Sequence, residues 1–209
     1  DGTLAEYVAV EARNLAPLPG DIEFTTAASL PISGLTAWQG LFVHGRFEAG
    51  QSVLVHGAAG GVGSVVTQLS HEAGAHIIGT GRAADRKTAL EFGAHEFLDL
   101  DNDALTDVGA VDLVFDVIGG DIGKQSAGVV RAGGMLVTIA GPPEAQPKDG
   151  LAVDFVVEAD RAQLGEIAQR VRDGRVRTNV GKVADLDNAV TAFNPAERVK
   201  GKTIVRVRM

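Results

Sequence analysis

Residues 52–64 read Ser52-Val53-Leu54-Val55-His56-Gly57-Ala58-Ala59-Gly60-Gly61-Val62-Gly63-Ser64. The apolar run Val53 to Val55 stops at a glycine cluster, and an amphipathic segment follows without a spacer. That segment places Val62, Val65, Val66, Leu69 and Ala73 on one face at helical spacing. Strand, glycine turn, helix is the context in which a chain holds a dinucleotide. Gly60 lets the backbone approach a pyrophosphate. Gly61 and the amides beside it, Ala59 and Val62 included, open a helix whose unpaired N–H groups and dipole attract anions. Gly63 lets that helix pack close to the strand. The pattern departs from G-x-G-x-x-G at its first position, which is Ala58. A plain tight turn is the competing reading, and both flanks favour the nucleotide.

Working outward, apolar strands are predicted at residues 75–80, 95–98, 111–115, 135–139 and 152–157. Helices fall between them at 83–92, stopped by Gly93, and at 122–131, stopped by Gly133-Gly134. Repeated β-α units with apolar strands imply an α/β fold, a doubly wound parallel sheet of Rossmann type. Toward the N-terminus, residues 4–10 read as a strand and 14–20 as a loop. A short helix capped by Thr25 or Thr26 is ended by Pro31. A second, capped near Ser33, carries Leu35, Trp38, Leu41 and Phe42. Beyond residue 157 come a helix at 163–172 and another face of Leu186, Ala189, Val190 and Phe193, capped by Asp185. A half-buried strand at 203–209 alternates Val205, Val207 and Met209 with Arg206 and Arg208. Both chain ends read as pieces of a second, antiparallel unit.

The 209 residues are 45% apolar and carry 27 glycines, which suits one large α/β domain or one domain with part of another. Nineteen basic against 27 acidic residues give a net charge of −8, which argues against nucleic acid or an anionic membrane as partner. With no cysteine there are no disulfides and no thiolate metal sites. No segment has transmembrane length and no signal peptide opens the chain, so a cytoplasmic location is expected. The start at Asp1-Gly2-Thr3, inside what reads as structure, suggests a fragment or a processed form.

The cofactor can be argued from residues. NAD-preferring folds end the second strand on an acid that binds the ribose hydroxyls. Here that position reads Gly79-Thr80-Gly81-Arg82, with no acid before Asp85. Arg82 is suited to a 2′-phosphate, and NADPH is expected over NADH. Arg86 and Lys87 read as solvated charges on the following helix.

Several stretches together resemble quinone oxidoreductases, of the zinc-independent branch of the medium-chain dehydrogenase/reductase superfamily. They are Ala27-Ala28-Ser29-Leu30-Pro31, Gly34-Leu35-Thr36-Ala37-Trp38, the turn at 55–63, Asp112 to Gly120, and Gly201-Lys202-Thr203-Ile204-Val205. The resemblance runs the length of the chain, in order. It implies that residues 34–175 are the dinucleotide-binding domain. Residues 1–33 and 176–209 are then remnants of a GroES-like catalytic domain, most of which lies in a further N-terminal stretch. It also implies that Ile118 with Gly119 borders the adenosine, and that Ile139, Ala140 and Gly141 border the nicotinamide, against the alternative of ordinary loops whose glycines serve only shape. Thr36 would lie near the nicotinamide, against the alternative of a helix-interior threonine bonded to its own backbone.

The activity expected from this combination is hydride transfer from NADPH to a quinone or an α,β-unsaturated carbonyl compound, without a metal. The five histidines (His44, His56, His71, His76, His95) form no spaced ligand pair, and Leu30-Pro31-Ile32-Ser33 stands where zinc-dependent relatives have a cysteine. Asp116 is expected to stabilise a turn. No catalytic side chain can be named from this chain. Two alternatives stay open: a non-catalytic NADPH-binding or interaction module, and an enoyl reductase module of a larger synthase. The apolar edge at 152–157 invites pairing with its twin, so a homodimer is expected.

Overall fold

Six strands alternate with helices through the middle of the chain in the computed structural model, which describes residues 3–194 and 199–207. After α1 (Phe24–Trp38) and a π-helical stretch, Gln39–His44, come β1 (Ser52–His56), α2 (Gly63–Glu72), β2 (His76–Gly81), α3 (Arg86–Glu91) and β3 (Glu96–Asp99). Next are β4 (Val111–Asp116), α4 (Gly120–Ser126), β5 (Val130–Thr138) and β6 (Leu151–Asp154). The strands are all parallel, in the order β3-β2-β1-β4-β5-β6. The order reverses between β1 and β4, and ligands of such sheets bind in the crevice beyond the carboxyl ends of the strands at that switch.

The chain divides into two units: Thr36–Val157, which holds this sheet, and Asp1–Leu35 with Glu158–Met209. In the sheet unit the register sets Leu54 beside Ile78 on one side and Val114 on the other, with Leu136 next to Val114. These four are buried on one face with Leu105, Val111, Ala127 and Val129. Each large aliphatic side chain buried this way contributes about 1.5–3 kcal/mol. The unit with both chain ends contains α5 (Arg161–Arg172), β7 (Val180–Asp185), α6 (Ala189–Ala192) and β8 (Lys202–Arg206). Asp160 caps α5 by accepting from the Gln163 N–H at 2.9 Å. Gly34 leaves room for Ile167 of α5, whose methyl carbon would lie 3.0 Å from a Cβ there.

At the amino end of the sheet Asp112, nearly buried, fastens three strands. Its Oδ2 accepts from the Ser52 N–H at 2.8 Å and the Ser52 hydroxyl at 2.7 Å, and its Oδ1 pairs with Arg131 at the start of β5. Asp112→Ala should strand the Ser52 donors and lower stability by about 2 kcal/mol, whereas Asp112→Asn keeps an acceptor and should cost about half as much. Thermal denaturation of the two variants checks this; equal losses would count against the hydrogen bonds.

Several predicted elements are corrected. Residues 4–10 form no strand: Leu4, Tyr7, Val8 and Val10 are all exposed, and among the described residues no sheet pairs with them. Pro31 does not end a helix but lies inside α1 on its exposed side, while Leu30, Ser33, Gly34 and Leu35 are buried around it. Packing of both flanking turns outweighs the one lost backbone bond. The helix predicted at 122–131 stops at Ser126, and β5 starts at Val130, before Gly133 and Gly134. These glycines mark an irregular strand: the register shifts between Val111 and Leu113, and a Cβ at Gly134 would lie 2.6 Å from the Asp112 carbonyl oxygen. The edge strand ends at Asp154 rather than 157.

At the C-terminus, β7 was not foreseen, and β8 runs parallel to it, not antiparallel. The most buried β8 residue is Ile204, opposite in parity to the expected Val205 and Val207, and Arg208 and Met209 lie outside the described residues. Glycines 181 and 201 face each other at the bulge, where a Cβ on Gly201 would come 2.7 Å from the Gly181 nitrogen. In α6 the buried residues are Ala189 and Ala192, while Val190 and Phe193 are exposed, and Asp185 makes no side-chain cap.

Candidate functional site

The turn after β1 is built by close backbone approach. Gly57 has φ +63°, which a side chain disfavours, and its carbonyl accepts from the Gly60 N–H at 2.7 Å. A Cβ on Gly63 would collide with that same carbonyl, so α2 starts directly on the turn. Ala58, at the motif's first glycine position, is fully buried and donates its N–H to the Thr80 carbonyl at 3.1 Å. Its methyl fits because the neighbouring strand has Gly79 there: a Cβ on Gly79 would sit 2.8 Å from that of Ala58. The glycine missing from the turn is therefore supplied by β2. Ala59 is buried; Gly60, Gly61 and Val62 are partly exposed at the mouth of α2. Among the described residues the N–H groups of Gly61 and Val62 meet no acceptor, which is the arrangement a diphosphate needs.

At the end of β2, Gly81 passes beneath Asp85, whose Oδ2 would lie 3.1 Å from a Cβ there. That carboxylate accepts from the Arg82 N–H at 3.2 Å, and the Asp85 N–H donates to the Arg82 carbonyl at 2.7 Å. Asp85 thus closes the turn, while the Arg82 side chain is exposed and carries no ion pair among the described residues. Arg86 lies over the Phe97 ring at 5.2 Å, and Lys87 stands 3.9 Å from Glu91. Beside them, Asp99 has its carboxyl held below the usual range, first by the Asn102 amide and then by backbone N–H groups.

The carboxyl ends of β4 and β5 enclose a cleft of about 190 Å³ lined by Asp116, Ile118, Gly119, Thr138, Ala140 and Gly141, among others. Asp116 is buried. Its Oδ1 accepts from the N–H groups of Ile118 at 2.8 Å and Gly119 at 3.0 Å, so it shapes the turn as expected. Gly119 lets the two loops meet, since its Cβ would lie 2.8 Å from that of Ala140. The Ile139 N–H donates to the Asp116 carbonyl at 3.0 Å and the Ala140 N–H to the Thr138 hydroxyl at 3.2 Å. Ile118, Ala140 and Gly141 line this cleft, whereas Thr36 is buried in α1.

From the sequence, His56 at the end of the nucleotide-binding strand is a candidate for a hydrogen bond in the turn, but its partners are not visible there. His56, the last residue of β1, is fully buried. Its Nδ1 lies 2.8 Å from the Thr80 hydroxyl and its Nε2 lies 2.7 Å from the Ser126 hydroxyl. Ser126 donates its own proton to the Ile122 carbonyl at 2.7 Å, so its oxygen must accept from Nε2–H, and Nδ1 accepts from Thr80. Isolated serines and threonines carry no pattern that announces such a partner.

Burial lowers the His56 pKa to about 4, against a smaller opposing pull from Asp116. The unfolded imidazole takes up its proton near 6.5, so acid between these values favours the unfolded chain. The stability from a neutral His56 is complete above that window, falls by up to about 1.4 kcal/mol per pH unit inside it, and levels off below it. Denaturant melts from pH 7.5 to 4.5 check this. His56→Gln, which cannot charge, should flatten the slope.

Among the described residues no group of three or more His, Cys, Asp or Glu is placed to hold a metal ion, and no helix is long and apolar enough to cross a membrane.

Residues 92–205 match the family model described as "Zinc-binding dehydrogenase". Over 98% of its length the chain is 33% identical to the 2-methylene-furan-3-one reductase of Solanum lycopersicum, of which it covers 52%. It is 28% identical over 97% of its length to the quinone oxidoreductase of Mus musculus, covering 68% of that protein. The chain therefore spans between half and about two thirds of these relatives. The quinone oxidoreductase from Thermus thermophilus, whose structures include a complex with NADPH, superposes with a TM-score of 0.85 at 28% identity, over 99% of this chain and 74% of that one.

Proposed function

This chain belongs to the medium-chain dehydrogenase/reductase family, quinone oxidoreductase-like, and on that premise we propose that the protein is an NADPH-dependent reductase of quinones or α,β-unsaturated carbonyl compounds that works without a metal. The observation that carries the reading is the β1 turn at the sheet's switch point, with unpaired amides at the mouth of α2 where a side chain on Gly63 would be excluded. The named activities of the tomato and mouse relatives support the substrate class, and the NADPH complex of the Thermus protein supports the cofactor.

On this reading Ala59, Gly60, Gly61 and Val62 hold the diphosphate, and Gly81 with Arg82 holds the ribose and its 2′-phosphate. Ile118 flanks the adenosine, and Thr36, Ile139, Ala140 and Gly141 flank the nicotinamide. When bound, the reduced nicotinamide supplies a hydride. The chain's own residues orient it and keep water from the reacting face. Residues 34–175 are assigned to dinucleotide binding, and 1–33 with 176–209 to a GroES-like catalytic domain. A cytoplasmic homodimer joined along the β6 edge completes the proposal.

The test is NADPH oxidation by the full-length protein with quinone and enone acceptors, with and without a chelator. Oxidation indifferent to the chelator is expected. Chelator-sensitive alcohol dehydrogenase activity, or tight NADPH binding with no acceptor reduced, would overturn the assignment.

A further inference from the structure

His56 stands one residue before the glycine turn, yet its ring is fully buried. Its two nitrogens reach in different directions along the carboxyl side of the sheet. Nδ1 meets Thr80, the residue before Gly81 and Arg82 in β2. Nε2 meets Ser126, the last residue of α4, whose first turn follows Ile118 and Gly119. The Thr80 main chain adds a second tie, since its carbonyl accepts from the Ala58 N–H of the turn itself. At the other end of α4, Asp116 holds the N–H groups of Ile118 and Gly119. One flat ring with two directional contacts therefore joins the β1 turn, the end of β2 and the helix behind the cleft. An aliphatic side chain of similar size would fill the same space without fixing those distances.

The geometry points to His56 as a positioning residue: through Thr80 and Ser126 it sets the spacing of the glycine turn, the Arg82 end of β2 and the loop before α4, and thereby the affinity for the dinucleotide. This rests on the dinucleotide reading of the site. His56 does not touch the ligand. It acts through the segments that do.

The test compares Thr80→Val, which removes the hydroxyl at nearly constant volume, with Thr80→Ser, which keeps it, and adds Ser126→Ala. Leu105→Ala is the control, because Leu105 packs in the apolar cluster on Leu54 and Ile78. NADPH affinity by calorimetric titration and the melting temperature are recorded for each. Thr80→Val and Ser126→Ala should each weaken NADPH binding about tenfold, the equivalent of a lost buried hydrogen bond. Thr80→Ser should restore it to within about twofold, and Leu105→Ala should lower the melting temperature without changing affinity. Affinities that follow the melting temperature across all four variants would reduce His56 to a structural part and overturn the inference. A histidine nitrogen NMR spectrum at pH 7 should show a neutral Nε2–H ring for His56; an Nδ1–H ring or an imidazolium would also overturn it. If the unmodified chain binds no nicotinamide dinucleotide, the functional reading fails and this inference falls with it. If the chain binds NADPH and the variants bind equally well, only the inference fails.

Discussion

Gly63→Ala should deprive the protein of stability and of its hold on a dinucleotide together. A Cβ at this position runs into the Gly57 carbonyl oxygen, 2.7 Å from the Gly57 carbonyl carbon and 3.2 Å from the Ala58 Cα. All three obstacles are main chain. Gly57 cannot retreat, because its positive φ and the Gly60 N–H at 2.7 Å fix it, and Val117 blocks its other side. The only relief is to lift α2 off the turn, but α2 is buried along Val65, Val66 and Leu69. Overpacking of this kind costs about 3 kcal/mol, which lowers the melting temperature of a chain this size by roughly 10 °C. The amides at the mouth of α2 move with the helix, and a displacement of about 1 Å should weaken NADPH binding on the order of 100-fold. Gly60→Ala is the contrast: its Cβ would meet only the Gly57 oxygen, at 3.0 Å, so the melting temperature should fall far less than for Gly63→Ala. Calorimetric melting and an NADPH titration of both variants decide the matter. A Gly63→Ala protein that melts and binds like the original would show that the close contact is not required.

The sheet unit was readable from the chain for a physical reason. Buried parallel strands are largely apolar runs between glycine-bearing turns, and Val53 to Val55 and, but for Asp112, Val111 to Phe115 are of that kind. What failed was local punctuation. Pro31 and Gly133-Gly134 carry the same signals as true helix ends, and only tertiary contacts reveal that one sits on a helix's exposed side and the others in a strand passing close to β4. The unit containing both chain ends was read least well. Val8 and Val10 alternate with Tyr7 and Ala9 like a strand yet are exposed, while Val180 to Asp185 pairs as a strand despite a glycine and a lysine in its pattern. In the site, the glycine turn and the Asp116 turn were legible because each uses short-range chemistry. The link from His56 to Thr80 and Ser126 was not, because its members are 24 and 70 residues apart. The exchange of glycine between Ala58 and Gly79 was hidden for the same reason: a departure from the motif in one strand is answered in the next.

Arg82→Glu should reverse the cofactor preference. The main chain of Arg82 is fixed on both sides by Asp85, which accepts from its N–H and donates to its carbonyl, so a substitution changes the side chain and little else. The guanidinium is exposed at the end of β2 and has no ion pair to lose among the described residues. Its neighbours are poorly placed to replace it, since Arg86 rests on the Phe97 ring and Lys87 faces Glu91. Charge-assisted hydrogen bonds to a 2′-phosphate are worth about 1.5–3 kcal/mol, and a carboxylate adds repulsion. NADPH affinity should therefore fall about 100-fold. NADH, which has a hydroxyl at that position, should bind within about threefold of its original affinity. Arg82→Lys keeps the charge but not the fork, and should cost about tenfold for NADPH alone. Because the site is open to solvent, the difference between the two cofactors should shrink as salt is raised from about 0.05 to about 0.5 M. Paired titrations with NADPH and NADH measure all of this. An equal loss for both dinucleotides would mean that Arg82 supports the fold of the turn and not the phosphate, and no loss for either would place the adenosine elsewhere.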